Sequence, residues 1–291
     1  MEVVRRGFGG VRLVALGAVA QKVVSVVLNQ VTLKLPYEVV GVARTRLELV
    51  LSGVLVLREG FRIAVIRSPE DVGLAWVPAV GGVGVACLLG YFGGPVVRLY
   101  CVAAGLEALS EPAHALSVAR AVAGPRVLAE SCGTLCSGVT LAGLPASLEA
   151  CGWAQIAYST GLGLGRLCGW PDWRALLPRQ PPKWERARNA FVLSAQAVLK
   201  QALTDADKLL LLGSSPRAAG VYAISQNYGS LVARALLQPS EDAVRGVLGR
   251  LDVDHQRRVA GLALRAGAVL GGGFAALGPP FAAIAPGVAR R

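Results

Sequence analysis

The sequence predicts an all-α, polytopic membrane protein with about nine transmembrane helices. Hydrophobic residues make up 54% of its 291 positions, and the mean hydropathy is +0.52. Charged residues account for only 16%, below the share that is usual in soluble domains. Apolar stretches recur at the length, about 17–25 residues, that a helix needs to cross a bilayer. A net charge of +12 on so apolar a chain favours a membrane protein over a soluble nucleic-acid binder.

The first six apolar segments predict an N-terminal bundle over residues 1–168. The third segment contains Pro78 and several glycines, so a kink is expected there. The fourth contains Glu107, Glu111 and Pro112 within otherwise apolar sequence. The six segments lie at 11–33, 39–57, 72–92, 96–118, 127–146 and 148–168.

The composition changes at residues 169–188, which are rich in proline, tryptophan and arginine. This pattern is typical of a basic cytosolic linker with aromatic side chains at the membrane interface. Three further apolar segments, at 190–212, 218–239 and 260–285, predict a partial second bundle over 189–291. Since a second set of six helices would need three more segments, we expect a larger transporter that is shortened at its C-terminus.

The distribution of lysine and arginine predicts the orientation of the segments. With the N-terminus in the cytosol, the inner ends of the segments hold a clear majority of the basic residues. This asymmetry obeys the positive-inside rule. The sequence therefore predicts a multi-pass protein with a cytosolic N-terminus, although a ninth helix would place Arg290 and Arg291 on the outer side.

Both ends of the second segment are unusually charged. Arg44 and Arg46 lie near its outer end, and Arg58, Glu59 and Arg62 lie near its inner end. Charge beside membrane sequence is costly unless it lies at an interface or in a polar cavity. Arg58 and Arg62 share one helix face. They either extend to lipid headgroups or form a guanidinium pair for pyrophosphate, whose oxygens arginine binds bidentately.

The first and fourth segments contain further intramembrane charges. Lys22 lies on a polar face of the first segment, which is either a helix contact or a cavity wall. Glu107 and Glu111 are four residues apart, and two carboxylates on one face in a low-dielectric site do not readily both stay charged. We expect them to pair with Lys22 or an arginine, or to share a proton.

The seventh and eighth segments add charged candidates. Lys200 and Asp207 are one heptad apart, so the pattern places them on one face, with Asp205 nearby. They form either a self-neutralising pair or part of a substrate or ion path. Arg234 lies near one end of the eighth segment.

The sequence offers little support for an enzyme, a metal site or a cofactor. The six cysteines show no C-x-x-C spacing, and there are only two histidines, so we interpret the cysteines as packing residues. Paired carboxylates allow acid–base hydrolysis, but no nucleophile or cofactor motif accompanies them. No nucleic-acid motif accompanies the basic charge. We therefore expect a protein that is not an enzyme and that binds neither nucleic acid nor a cofactor.

Six sequence blocks carry a further signal: LNQVTLKL, VGVARTRLELVLSGVLVLREGFRIA, LEALSEP, RVLAES, LKQALTDADKLLL and GVYAISQNYGSLVARALLQPSED. These blocks resemble the eukaryotic Rft oligosaccharide translocation proteins, of the multidrug/oligosaccharidyl-lipid/polysaccharide flippase superfamily. They follow the family order and cover about residues 11–242. Members of the family are considerably longer, with two helical bundles.

This resemblance implies an endoplasmic reticulum membrane protein that moves a dolichol-pyrophosphate-linked oligosaccharide from the cytosolic to the luminal leaflet for N-glycosylation. The alternative is a non-transporting scaffold or accessory factor of the same pathway. The implied partners are the lipid-linked oligosaccharide and membrane lipids, and the oligomeric state stays open. The charged residues that fall in matching blocks are Arg44, Arg46, Arg58, Glu59, Arg62, Arg126, Lys200, Asp205 and Asp207. With Lys22, Glu107, Glu111 and Arg234 they form the predicted substrate-binding set. Aspartates stand in the seventh-segment block where family members tend to carry glutamates.

Overall fold

The structure, a computed structural model, describes residues 35–120, 122, 124–170, 173–178 and 184–232, with a few positions between 257 and 269. Contacts divide the chain into two compact units, Met1–Leu231 and Val232–Arg291. The helices described below belong to the first unit, except for the final residue of the last helix. These residues form helices and no strand, which confirms the all-α prediction. The first predicted segment with Lys22, the position of Arg234 and most of the ninth segment lie outside the described residues.

The second predicted segment forms one helical run with an unusual centre. Helix α1 (Tyr37–Gly41) continues into a π-helical stretch (Val42–Leu47) and then into α2 (Glu48–Leu55). Wider π turns are rare and often occur at functional sites, and this one carries Arg44 and Arg46. A short turn separates the run from α3 (Arg58–Arg67), so Arg58 and Arg62 begin a separate polar helix.

The third predicted segment forms a 3-10 turn (Pro69–Asp71) followed by α4 (Gly73–Phe92), which contains Pro78. Within the described part of the chain, Pro69–Phe92 is the one helix long and apolar enough to cross a membrane by length and composition.

The structure divides the fourth predicted segment in two. Helix α5 (Pro95–Leu109) ends at Ser110, and α6 (Glu111–Ala119) begins directly after it. Pro112 lies in the first turn of α6, where its missing N–H costs nothing, whereas the same residue inside a continuous helix would clash with the preceding turn. A single helix over 96–118 was therefore the wrong expectation, because this proline starts a new helix.

Helices α7 (Gly124–Gly143) and α8 (Leu148–Cys168) pack closely along their lengths. A Cβ atom added to Gly165 would lie 2.8 Å from the backbone nitrogen of Ala129, so glycine is needed for this contact. Ser147 caps α8 by accepting a hydrogen bond from the Ala150 N–H at 3.1 Å.

The seventh predicted segment is also divided. It forms α9 (Trp184–Thr204) and α10 (Ala206–Leu211), separated at Asp205, and α11 (Pro216–Val232) follows. A 3-10 turn (Trp173–Leu176) lies in the predicted linker.

Close backbone contacts hold α1 and α3 against these later helices. A Cβ atom at Gly60 would lie 2.6 Å from the Ala190 carbonyl oxygen of α9. A Cβ atom at Gly41 would lie 2.7 Å from the Gly220 nitrogen of α11. The core between α3, α4, α6 and α9 contains Phe61, Val65, Leu74, Ala115 and Ala190. This packing fixes the face of α3 that carries its arginines.

Candidate functional site

Two arginines of α3 pair with two glutamates at the junction between α5 and α6. Arg58 Nη1 donates to Glu107 Oε1 at 2.5 Å. Arg62 donates to Glu111 Oε1 from Nη2 at 2.7 Å and from Nε at 2.8 Å. Arg58 Nη1 also lies 3.9 Å from Glu111 Oε2. The sequence left open whether the two glutamates pair with Lys22, pair with an arginine or share a proton. In the structure they pair with arginines.

The two sides of this contact differ in burial. The Glu107 and Glu111 residues are 6% and 1% exposed, whereas the side chains of Arg58 and Arg62 are 27% and 23% exposed. Buried carboxylates are tolerated when they are paired. Burial lowers the pKa of Arg58, which follows the second predicted segment, but the Glu107 and Glu111 carboxylates raise that pKa above its ordinary value. Arg58 thus stays charged, and both arginine side chains are partly exposed.

A third guanidinium comes from α8. Arg166 is 7% exposed, and its Nη1 donates to Ser110 Oγ at 2.6 Å. The Ser110 hydroxyl in turn donates to the Glu107 carbonyl oxygen at 2.8 Å. We call Arg58, Arg62, Glu107, Glu111, Ser110 and Arg166 the arginine–carboxylate cluster. With three guanidiniums and two carboxylates, this cluster has one surplus positive charge.

Sequence reasoning did not select Arg166. The residue falls at the end of the sixth segment, where it counted only toward the basic inner ends. An available signal was its place inside the predicted segment, because an intramembrane arginine is a functional candidate.

Two atoms near the cluster are buried and have no hydrogen-bond partner within the described part of the chain: Glu111 Oε2 and His114 Nδ1. His114 follows Glu111 by three residues on α6 and is 8% exposed. Buried polar atoms usually have partners, so such exceptions mark places where a water, proton or ligand group is accommodated.

A second group of charges joins the first helical run to α10. Arg44 Nη1 lies 2.8 Å from Glu48 Oε1. Lys208 Nζ lies 3.3 Å from Glu48 Oε2 and 3.0 Å from Asp205 Oδ1. We call these four residues the Glu48 cluster. Arg46 contributes a longer bond, 3.4 Å, to the Leu212 carbonyl oxygen, so the charges at the outer end of the second segment contact the later helices.

Lys200 and Asp207 do not pair with each other. Lys200 Nζ lies 3.6 Å from Glu59 Oε1. Asp207 Oδ2 accepts from the Tyr222 hydroxyl at 2.5 Å and from Gln226 Nε2 at 2.7 Å. The self-neutralising pair was wrong, because the helix break at Asp205 removes the heptad spacing on which it depended.

The last described candidate, Arg126, pairs with Glu130 of the same helix at 3.2 Å. The structure thus brings together Arg58, Arg62, Glu107 and Glu111. It places these other candidates in separate contacts: Arg44, Arg46, Glu59, Lys200, Asp205 and Asp207. Among the residues described, no group of three or more metal-ligating side chains occurs, and the six cysteines are free thiols.

Comparison with known proteins finds similarity to one family. The family model for "Rft protein" matches residues 185–262. Man(5)GlcNAc(2)-PP-dolichol translocation protein RFT1 of Mus musculus is 28% identical over 290 residues, which cover 80% of this chain and 53% of the mouse protein. These matches make the chain similar to the Rft family. The chain spans about half the length of the mouse relative, and no solved structure gives a significant match.

Two fungal Rft relatives match a shorter region. The protein of the same name from Candida albicans is 40% identical over 63 residues, 21% of this chain and 11% of the relative. The Schizosaccharomyces pombe protein is 37% identical over 71 residues, 23% of this chain and 14% of the relative. The Rft family model covers nearly all of α9 and the described α10 and α11, which carry Lys200, Asp205 and Asp207.

Proposed function

We propose that this chain translocates, or supports the translocation of, a dolichol-pyrophosphate-linked oligosaccharide from the cytosolic to the luminal leaflet of the endoplasmic reticulum for N-glycosylation. The observation that carries the proposal is the arginine–carboxylate cluster, with its two partly exposed arginine side chains and its surplus positive charge. The names of the relatives support the substrate class, since they are translocation proteins for Man(5)GlcNAc(2)-PP-dolichol.

The cluster suits a pyrophosphate because its carboxylates orient the arginines without occupying them fully. A guanidinium carries more N–H donors than these contacts use: the bonds to the described carboxylates take one nitrogen of Arg58 and two of Arg62. The Arg58 and Arg62 side chains are also partly exposed. Charge-assisted hydrogen bonds from arginine to phosphate oxygens are short and strong, so the fixed pair suits two adjacent phosphates.

Moving a substrate of this class across the membrane requires no catalytic residues at the site. A dolichol tail stays in lipid, the pyrophosphate binds arginine, and the sugar needs a hydrated polar cavity. Translocation breaks no covalent bond, so the protein acts without catalysis, and an opening of the helices toward either leaflet suffices.

The proposed topology is a multi-pass protein with a cytosolic N-terminus and about nine transmembrane helices. It comprises a six-helix bundle over 1–168, a cytosolic linker over 169–188 and a partial second bundle over 189–291. Arg58 and Arg62 then lie at the cytosolic end, where the lipid is loaded. Cysteines introduced into 169–188 should react with an impermeant maleimide in sealed, cytosol-side-out microsomes, and protection of the linker would contradict this topology.

The remaining candidates serve the same path in this proposal. Arg44, Arg46 and Asp205 line its outer end, where the Glu48 cluster contacts α10. The other contributors are Glu59, Lys200, Asp207, Arg126, Lys22 and Arg234. Alanine substitution of these residues one at a time, followed by a rescue assay of N-glycosylation, would rank them.

Binding of the pyrophosphate lipid tests the assignment of Arg58 and Arg62. The probe is chitobiose linked through pyrophosphate to a short polyprenyl chain, titrated into purified protein. A charge-assisted hydrogen bond contributes about 1.5–3 kcal/mol, so Arg58→Ala and Arg62→Ala should each weaken binding about tenfold or more. Arg67→Ala is the matched control, because Arg67 is an exposed arginine at the end of the same helix. Equal affinity for all variants would mean that the two arginines only contact headgroups.

A further inference from the structure

Glu111 is the most deeply buried charged residue of the arginine–carboxylate cluster. It is 1% exposed, and only its Oε1 receives hydrogen bonds from Arg62. Its Oε2 has no hydrogen-bond partner within the described residues, and Arg58 Nη1 lies 3.9 Å away. A carboxylate oxygen in this state is held by the surrounding positive charge rather than by bonds of its own.

The charges around Glu111 come from several helices. Its own helix contributes His114, and Leu74 of α4 lies in the core cluster that contains Ala115 of the same helix as Glu111. Arg166 interacts electrostatically with both carboxylates, while Arg126 and Glu130 offset each other. Among the described residues, Arg58 and Arg62 of α3 and Arg166 of α8 interact with Glu111 itself. Around it, Arg126 of α7 acts on His114, and Tyr158 of α8 interacts with Glu107 of α5 and with Glu130 of α7.

A bound pyrophosphate diester reverses the charge balance of this cluster. The empty cluster carries one surplus positive charge, and a pyrophosphate esterified on both sides carries two negative charges at neutral pH. The complex therefore carries one surplus negative charge beside two buried carboxylates. In a low-dielectric site the usual response is that one carboxylate takes up a proton.

We infer that Glu111 takes up one proton from solvent when the pyrophosphate lipid binds, so that substrate binding is coupled to proton uptake at Oε2. Glu111 is assigned rather than Glu107 because it is the more buried carboxylate and has the unpartnered oxygen. His114 Nδ1, one turn further along the same helix face, is the candidate acceptor for the new O–H. This inference rests on the proposed function, since it requires the lipid to bind at this cluster.

Coupling is reciprocal, so protons must favour the lipid as much as the lipid favours protonation. Binding should be strongest at low pH and should weaken as pH rises. For uptake of one proton, the association constant falls by up to about tenfold per pH unit.

Calorimetry measures the proton directly. The purified full chain in detergent is titrated with the short-chain polyprenyl-pyrophosphate-linked chitobiose, in two buffers that differ in enthalpy of ionisation. The probe does not titrate near neutral pH, because both of its phosphates are esterified. We expect uptake of about one proton per bound probe for the wild type and about none for Glu111→Gln. Glu149→Gln, which changes an exposed glutamate of α8, should keep the full uptake.

The other outcomes of this experiment would overturn the coupling, the proposed function or the assignment to Glu111. Binding by the wild type without proton uptake would overturn the coupling and leave the proposed function in place. No binding by the wild type would overturn both. Uptake that persists in Glu111→Gln and disappears in His114→Gln would overturn the assignment to Glu111. If Glu111→Gln does not fold, the wild type alone decides, because an affinity that stays constant between about pH 6 and 8 excludes uptake of a proton.

Discussion

The pairing of Arg62 with Glu111 should be among the strongest local contributions to stability in the described part of the chain. Glu111→Ala removes the carboxylate with which Arg62 pairs, and removal of one partner from a buried ion pair costs about 3–5 kcal/mol. The Arg62 side chain is 23% exposed, so water offsets part of this cost, and we expect about 2–3 kcal/mol. Arg62→Ala should cost about as much, because it leaves the more buried Glu111 without the one arginine that donates hydrogen bonds to it among the described residues.

A double-mutant cycle isolates this interaction. The free energy of unfolding is measured in mixed detergent micelles for the two single variants and for Arg62→Ala/Glu111→Ala. We expect a coupling energy of about 1–3 kcal/mol. The control cycle uses Arg44 and Glu48, an i, i+4 pair whose side chains are 45% and 30% exposed, for which about 0.3–0.5 kcal/mol is expected. Equal coupling energies in the two cycles would refute the argument that burial makes the Arg62 pair strong.

Two further substitutions test the packing and the third guanidinium. Gly165→Ala places a Cβ atom 2.8 Å from the Ala129 nitrogen and should lower the free energy of unfolding by about 1–3 kcal/mol. Gly163→Ala is the control: the nearest atom would be 3.8 Å away, so this substitution should be neutral or stabilising. Equal effects of the two substitutions on the free energy of unfolding would contradict the close packing at Gly165. Ser110→Ala removes the acceptor for Arg166 and should cost about 1.5–3 kcal/mol in the same measurement, and an unchanged stability would show that this contact is dispensable.

The sequence predicted both halves of the arginine–carboxylate cluster, but not that they meet. Helical spacing placed Arg58 with Arg62, and Glu107 with Glu111, because residues four apart share a face. Their contact depends on how α3 packs against α5 and α6, which is a tertiary relation between residues 49 positions apart. One sequence without its relatives carries no direct signal for such a pairing.

The sequence indicates the helix break before Pro112 more clearly than the helix break at Asp205. Pro112 marks the first break, although the continuous apolar run around it suggested a single segment. At the second break, Asp205 has neither glycine nor proline beside it. Its carboxylate pairs instead with Lys208 and accepts a hydrogen bond from Gln201. Side-chain hydrogen bonds of aspartate compete with the helix backbone, and local patterns alone do not show when they prevail.

The resemblance to the Rft family could be predicted because charged blocks in a fixed order are more specific than apolar segments. The match over 185–262 includes the blocks that contain Lys200 and Asp207. Arg166 lies outside the blocks that carried the resemblance, and its role in the cluster depends on the contact with Ser110.

Leaflet exchange in vesicles tests most directly whether the arginine–carboxylate cluster handles the lipid pyrophosphate. The chain is reconstituted into liposomes with a fluorescent lipid-linked oligosaccharide, and the outer-leaflet fraction is followed with an impermeant quencher. Exchange should exceed that of protein-free vesicles, fall to the protein-free rate for Arg58→Ala/Arg62→Ala, and persist for Arg67→Ala. Exchange at equal rates in the wild type and the double variant, or at the protein-free rate in all samples, would contradict a translocating role for this cluster.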